Sequence, residues 1–244
     1  MDDTSHDKSS ARPANTVSPS TQMNEEMKAG PCEKCGRRPK LMEGGHIRKW
    51  CLVCLTGNSR NPAHANLHVG IPERYAKASV GDLTTKAVET YRALPDDKGL
   101  LLWGLPGTGK THAMCAFGRD LYMTGWEVAR ISYELLMLRI RDTYKPHATE
   151  TELDIIEPLF TLDKLIVEDV GTTVALGGQE SDFSLRTFLV VLDQRLERCK
   201  ATYVTTNKSV EDLRKSFDAR LASRLMQACE VIHLTGKDRR DKKA

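Results

Sequence analysis

Gly104-Leu105-Pro106-Gly107-Thr108-Gly109-Lys110-Thr111 is a complete G-x-x-x-x-G-K-[ST] phosphate-binding loop. It follows the apolar run Leu100 to Trp103 and precedes a helical pattern at Met114, Phe117 and Leu121, a placement that a chance glycine-rich turn lacks. Glycines let the backbone curl so that its N–H groups point at phosphate oxygens, and a helix beginning near Lys110 adds the positive end of its dipole. In such a loop Lys110 reaches the β and γ phosphates of ATP and the Thr111 hydroxyl holds Mg²⁺. The candidate nucleotide-binding residues are therefore Gly104, Pro106, Gly107, Thr108, Gly109, Lys110 and Thr111.

Outward from the loop, strand and helix patterns alternate, as a parallel α/β sheet requires. Strands are expected over Leu100 to Trp103, Glu127 to Ile131, Lys164 to Asp169, Ala201 to Thr206 and Glu230 to Leu234. Between them lie a helix from Lys110 to about Thr124, a Ser132-capped helix running through Leu135, Leu138 and Arg141, and a short helix near Leu153 to Phe160. Leu185, Phe188, Leu189, Leu192 and Leu196 form one apolar face of a long helix after the loop Gly171 to Ser181, and two short helices follow Thr206. Upstream, residues 57–70 read as a Pro/Asn/His connector in which His64 and His68 are solvated rather than ligands. Ile71-Pro72-Glu73-Arg74-Tyr75 and a weak helical pattern through Val88 and Tyr91 are expected to pack on the edge of the core.

The buried strand Leu165-Ile166-Val167-Glu168-Asp169 ends in two acids, where one carboxylate holds the Mg²⁺ shell and its neighbour polarises water. Asn207, after Tyr203-Val204-Thr205-Thr206, is placed either to orient the attacking water or simply to turn the chain. Arg220 and Arg224 lie four apart on an expected helix and share a face. Two readings of that face stay open: an arginine finger for a neighbouring subunit's nucleotide, or an ordinary solvated surface.

The 244 residues, 40% of them hydrophobic, suffice for one α/β domain and a smaller module, and a net charge of +3 makes no strong case for nucleic acid. No apolar run approaches the about 18 residues that span a bilayer, and the polar N-terminus lacks a signal-peptide core, so the expectation is a cytoplasmic protein with no membrane partner. Residues 1–30 read as a disordered tail. Cys32, Cys35, Cys51 and Cys54 form C-x₂-C-x₁₅-C-x₂-C, the spacing of a structural Zn²⁺ site with no open position for catalysis. Arg37, Arg38, Lys40, Arg48, Lys49 and Trp50 around them suit either a nucleic-acid contact or charge balance for four thiolates.

Gly99 to Thr111, Leu165 to Gly171, Tyr203 to Asn207 and Ala219-Arg220-Leu221-Ala222-Ser223-Arg224-Leu225, in that order and spacing, resemble the AAA+ ATPases of the DnaC and DnaI type, which load bacterial replicative helicases. Ile71-Pro72-Glu73-Arg74-Tyr75, His233-Leu234-Thr235-Gly236 with Arg239, and a cysteine-rich module upstream extend the resemblance. It implies an AAA+ P-loop NTPase core with a parallel five-stranded sheet flanked by helices, preceded by a small zinc module. The domains are then tail 1–30, four-cysteine zinc-binding module 31–56, linker and core-edge helices 57–98, ATPase domain 99–236 and basic tail 237–244.

The resemblance also implies slow ATP hydrolysis, a sensor role for Asn207 and a trans-acting finger at Arg224, with Arg220 the second candidate. It implies as partners a DnaB-type hexameric helicase, single-stranded DNA and further copies of the chain, in a bacterial or phage-infected cell. DNA contacts fall on the helices after the second strand, which carry Arg130, Arg139, Arg141 and Lys145. One departure stands out: the family usually places Asp first in the acidic pair, where this chain reads Glu168-Asp169. That order leaves open a module that holds ATP without hydrolysing it. An IstB-type transposition helper that binds duplex DNA shares the core; a small-molecule kinase gives no reason for the cysteine pairs or for Asn207.

Overall fold

Runs of Leu, Ile and Val form parallel strands when helices cover both sheet faces. The computed structural model describes residues 42–43, 46–47, 62–171, 182–216, 219–236 and 238, and the chain divides into two compact units, Met1–Thr56 and Gly57–Ala244. In the first, Met42–Glu43 pairs antiparallel with His46–Ile47. The tail expected up to residue 30, the cysteines Cys32, Cys35, Cys51 and Cys54, most of the loop after Gly171 and Arg239 lie outside the described residues.

The second unit runs α1 (Pro62–Val69), α2 (Thr85–Ala93), β1 (Gly99–Trp103), α3 (Lys110–Met123), β2 (Val128–Ser132), α4 (Tyr133–Asp142), α5 (Glu152–Thr161), β3 (Lys164–Glu168), α6 (Asp182–Glu197), β4 (Ala201–Thr206), α7 (Val210–Ser216), α8 (Ala219–Ala228) and β5 (Cys229–His233). Its five strands are all parallel, in the order β2-β3-β4-β1-β5. Leu101 sits opposite Val204 of β4 on one side and Val231 of β5 on the other. Period-two alternation sorts the strand residues into two cores. Leu100, Leu102, Ile166 and Tyr203 pack with α1, α2 and α3, whereas Leu101, Leu165, Val167 and Val204 pack with α4 to α8. Each fully buried leucine contributes about 1.5–3 kcal/mol.

The expected connector over 57–70 is helical in its second half. Ala65 and Val69, one turn apart, are buried against α3, where Gly118 leaves room: a β-carbon there would lie 2.9 Å from Val69 Cγ1. Small and branched apolar residues at i and i+4 thus outweigh the loop-like composition. His64 and His68 are exposed as expected, and His68 stacks on Tyr122. The Ser132 hydroxyl accepts from the Leu135 N–H and caps α4, yet the buried face is Tyr133, Leu136, Met137 and Ile140; Leu135 and Leu138 are 54% and 47% exposed. No helix among the described residues is long and apolar enough to cross a membrane.

Arg195 of α6 has no exposed surface. Its Nε donates to Thr202 Oγ1 at 3.0 Å, and its terminal nitrogens donate to the carbonyls of Leu159, Leu162 and Ala201. Burial pulls its pKa down to about 10, so it stays charged at neutral pH and binds the C-terminal carbonyls of α5 to the start of β4. Arg195→Ala is expected to cost about 3 kcal/mol in urea unfolding, because four acceptors lose their donor. Arg195→Met should recover only the packing share; full recovery would show that the polar contacts contribute nothing.

Candidate nucleotide site

Parallel strands gather the loops after β1, β3 and β4 at one edge of the sheet, where open α/β sheets bind ligands. The loop after β1 turns through Gly107 (φ 78°) and Gly109 (φ 98°), left-handed positions that favour glycine. Gly107 is also short of room, since a β-carbon there would meet a carboxylate oxygen of Asp238 at 1.8 Å. Gly109 is the N-cap of α3 and makes no side-chain cap hydrogen bond, an arrangement that suits an anion at the helix start. Lys110, 6% exposed, donates from Nζ to the Gly104 carbonyl at 2.8 Å and the Leu105 carbonyl at 2.9 Å. The Thr108 hydroxyl donates to Leu105 O and closes the loop.

A cavity of about 450 Å³ opens over this loop, lined by Pro106, Gly107, Gly109, Lys110, Thr111, Asp169 and Asn207, together with Arg74, Tyr75 and His112. Gly104 and Thr108 shape the loop without lining the cavity. β3 ends at Glu168, one residue before the expected end, because Asp169 turns left-handed (φ 59°), a conformation Asp tolerates. The Asp169 N–H donates to Thr205 Oγ1 at 2.9 Å, Val170 N–H to Thr205 O, and the Thr206 hydroxyl to Val170 O. These bonds fix the end of β3 against the end of β4, so Asp169 and Asn207 share the cavity.

Glu168 is 3% exposed and does not line the cavity; its Oε2 accepts from Arg130 of β2. Burial raises its carboxyl above the usual range, while the Arg130 guanidinium works against that rise. Its Oε1 has no hydrogen-bond partner among the described residues. The Thr111 hydroxyl and the Asp169 carboxylate line the cavity with oxygen donors, which fits a hard cation such as Mg²⁺, and the orphaned Glu168 oxygen is a further oxygen donor outside that lining. Arg130 is not the exposed DNA contact that the resemblance implies: it is spent on Glu168 and on the Gly70 carbonyl. Arg139 and Lys145 pair with Glu150 and Asp142 on the surface, and Arg141 is exposed.

Arg220 and Arg224 do not line the cavity. Both converge on Asp193 of α6, Arg220 through a terminal nitrogen at 3.0 Å and Arg224 through Nε at 2.7 Å, and Arg224 also donates to Gln227 Oε1. Sequence reading missed Asp193 and the second cavity wall. That wall comes from Ile71–Tyr75: Ile71 is buried, Tyr75 N–H donates to the Pro72 carbonyl, and the Tyr75 ring meets His112 edge-on at 6.4 Å. An arginine and a tyrosine beside a proline just upstream of the core were the available signal.

Residues 73–244 match the family model described as IstB-like ATP binding protein. Among curated relatives, the replicative helicase loader DnaC of Escherichia coli (strain K12) is 26% identical over 122 residues, covering 50% of this chain and 47% of that protein. The replicative helicase loader DnaI of Bacillus subtilis (strain 168) is 23% identical over 168 residues, 64% of this chain and 52% of that protein. The chain thus spans about half the length of these relatives. A crystal structure of the DnaC helicase loader superposes with TM-score 0.58 at 19% identity, covering 67% of this chain and all of that one. One of DnaI gives 0.57 at 19% identity, covering 72% and 99%; at these identities the likeness shows the fold.

Proposed function

Since the chain belongs to the IstB-like ATP binding proteins, a family that includes DnaC-type AAA+ ATPases, we propose that it loads a replicative DNA helicase onto single-stranded DNA, switched by ATP binding and hydrolysis between subunits. One observation carries the reading. Lys110, Thr111, Asp169 and Asn207 meet in one cavity, while Arg220 and Arg224 are held together on Asp193 outside it, as halves of a site completed by a second copy require. The similarity to proteins named replicative helicase loaders supports the partner.

In this reading Lys110 and the loop amides hold the phosphates, and Tyr75 and His112 offer ring faces to the rest of the nucleotide. Thr111, Asp169 and Glu168 would hold Mg²⁺, which would supply charge neutralisation on the phosphates. Asn207 orients the attacking water, Asp169 accepts its proton, and Arg224 of a neighbouring copy, seconded by Arg220, stabilises the transferring phosphoryl group. Arg139, Arg141 and Lys145 remain the candidates for single-stranded DNA. We further propose the domain layout read from the sequence, with a four-cysteine zinc module at 31–56 and the ATPase domain at 99–236.

Isolation of the tagged protein from its native host extract, in ATP and Mg²⁺, tests partner and zinc together. The replicative helicase is expected to co-purify, with one zinc per chain by metal analysis. A transposase in place of the helicase overturns the loader reading in favour of an IstB-type helper, and zinc near zero removes the four-cysteine module.

A further inference from the structure

We propose that Arg130 is a positioning residue that couples the acid Glu168 to the cavity wall carrying Arg74 and Tyr75. The proposal rests on the cavity being the nucleotide site. Arg130 comes from the middle of β2 with its side chain 14% exposed, against 3% for Glu168. One nitrogen of its guanidinium donates to Glu168 Oε2 and another to the Gly70 carbonyl at 3.0 Å. Gly70 follows α1 in a left-handed turn (φ 77°) and leads directly into Ile71–Tyr75. A single rigid fork therefore spans from the end of the acidic strand to the base of the second wall.

The pair is only half satisfied, since Glu168 Oε1 and Arg130 Nε both lack hydrogen-bond partners among the described residues. A cation-bound water reaching the orphaned Oε1 would pull the carboxylate one way. Arg130 would resist, because a half-buried guanidinium stripped of its anion is costly. Any compromise shifts the fork, and the shift is passed to Gly70 and on through the anchored turn to Tyr75, five residues later. Cys115 of α3 lies against this pair and interacts with the Arg130 guanidinium, while burial pushes its thiol up to about 12. By linkage, what Mg²⁺ does to the Tyr75 wall, the wall does to Mg²⁺.

The test is a cycle on the full chain, reading affinity for a fluorescent ATP analogue with Mg²⁺ or with EDTA. In the wild-type background the penalty of Tyr75→Ala should differ about fivefold between the two conditions. Arg130→Lys can pair with Glu168 but cannot also reach Gly70, so in that background the two penalties should agree within about twofold. Arg130→Gln should give the same agreement and weaken the Mg²⁺ effect as well. Amide exchange at Arg74 and Tyr75 should slow when Mg²⁺ is added to the nucleotide-bound wild type and stay unchanged in Arg130→Lys. Equal penalties in the wild type, or a fivefold difference that persists in both variants, overturns the coupling. Absence of nucleotide binding by the wild type overturns the nucleotide site itself, a result that the binding curves distinguish.

Discussion

Lys110→Ala should lower affinity for ATP about 10³-fold, roughly 4 kcal/mol, and abolish hydrolysis. The ammonium is almost fully buried and already held by the Gly104 and Leu105 carbonyls, so it is pre-organised and meets phosphate in a setting where water screens little. The same two carbonyls lose their donor in the variant, and a separate loss of stability of about 1–3 kcal/mol follows. Calorimetric titration with ATP and with AMP separates the two effects. AMP lacks the phosphates that Lys110 meets, so its affinity should hold while that for ATP collapses. Near-normal ATP binding would remove Lys110 from the site, and an equal loss for both nucleotides would point to damage of the loop.

The phosphate loop was legible in sequence because its chemistry is local: two left-handed glycines, a lysine and a threonine within eight residues. The strands were legible for a similar reason, since burial on both faces writes them as apolar runs. Asp169 and Asn207 were legible as strand-end polar residues. Their convergence depends on bonds between the ends of β3 and β4 that no spacing reveals. The roles of Glu168 and Asp169 divide because one residue stays in the strand and the next turns left-handed, a backbone choice that the dipeptide does not announce. Arg130 stands in sequence beside the basic DNA-contact candidates Arg139, Arg141 and Lys145, and its pairing is hidden there because its partner lies 38 positions away. Arg195 carried a signal that went unused: it lies seven residues after Phe188 and three after Leu192, on the buried stripe of α6.

Arg224→Ala should leave ATP affinity of the dilute chain unchanged and remove about 10³-fold of the hydrolysis that appears on assembly. Asp193 holds Arg220 and Arg224 with one carboxylate, leaving the cluster net positive, and Arg224 is the less exposed of the two at 39% against 62%. A surface pair of this kind is worth about 0–1 kcal/mol, so Asp193 presents the arginines without preventing a phosphate from taking them. Wild-type turnover per chain should therefore rise with protein concentration, and the variant's should not. The decisive form of the test mixes two inactive proteins. Lys110→Ala has lost its own nucleotide but keeps Arg224, while Arg224→Ala keeps its nucleotide and needs an arginine from outside. If the finger acts in trans, an interface between the two restores hydrolysis at the Arg224→Ala subunit. If each chain must serve its own nucleotide, the mixture stays as inactive as its parts, and Arg220 and Arg224 return to being an ordinary charged face of α8.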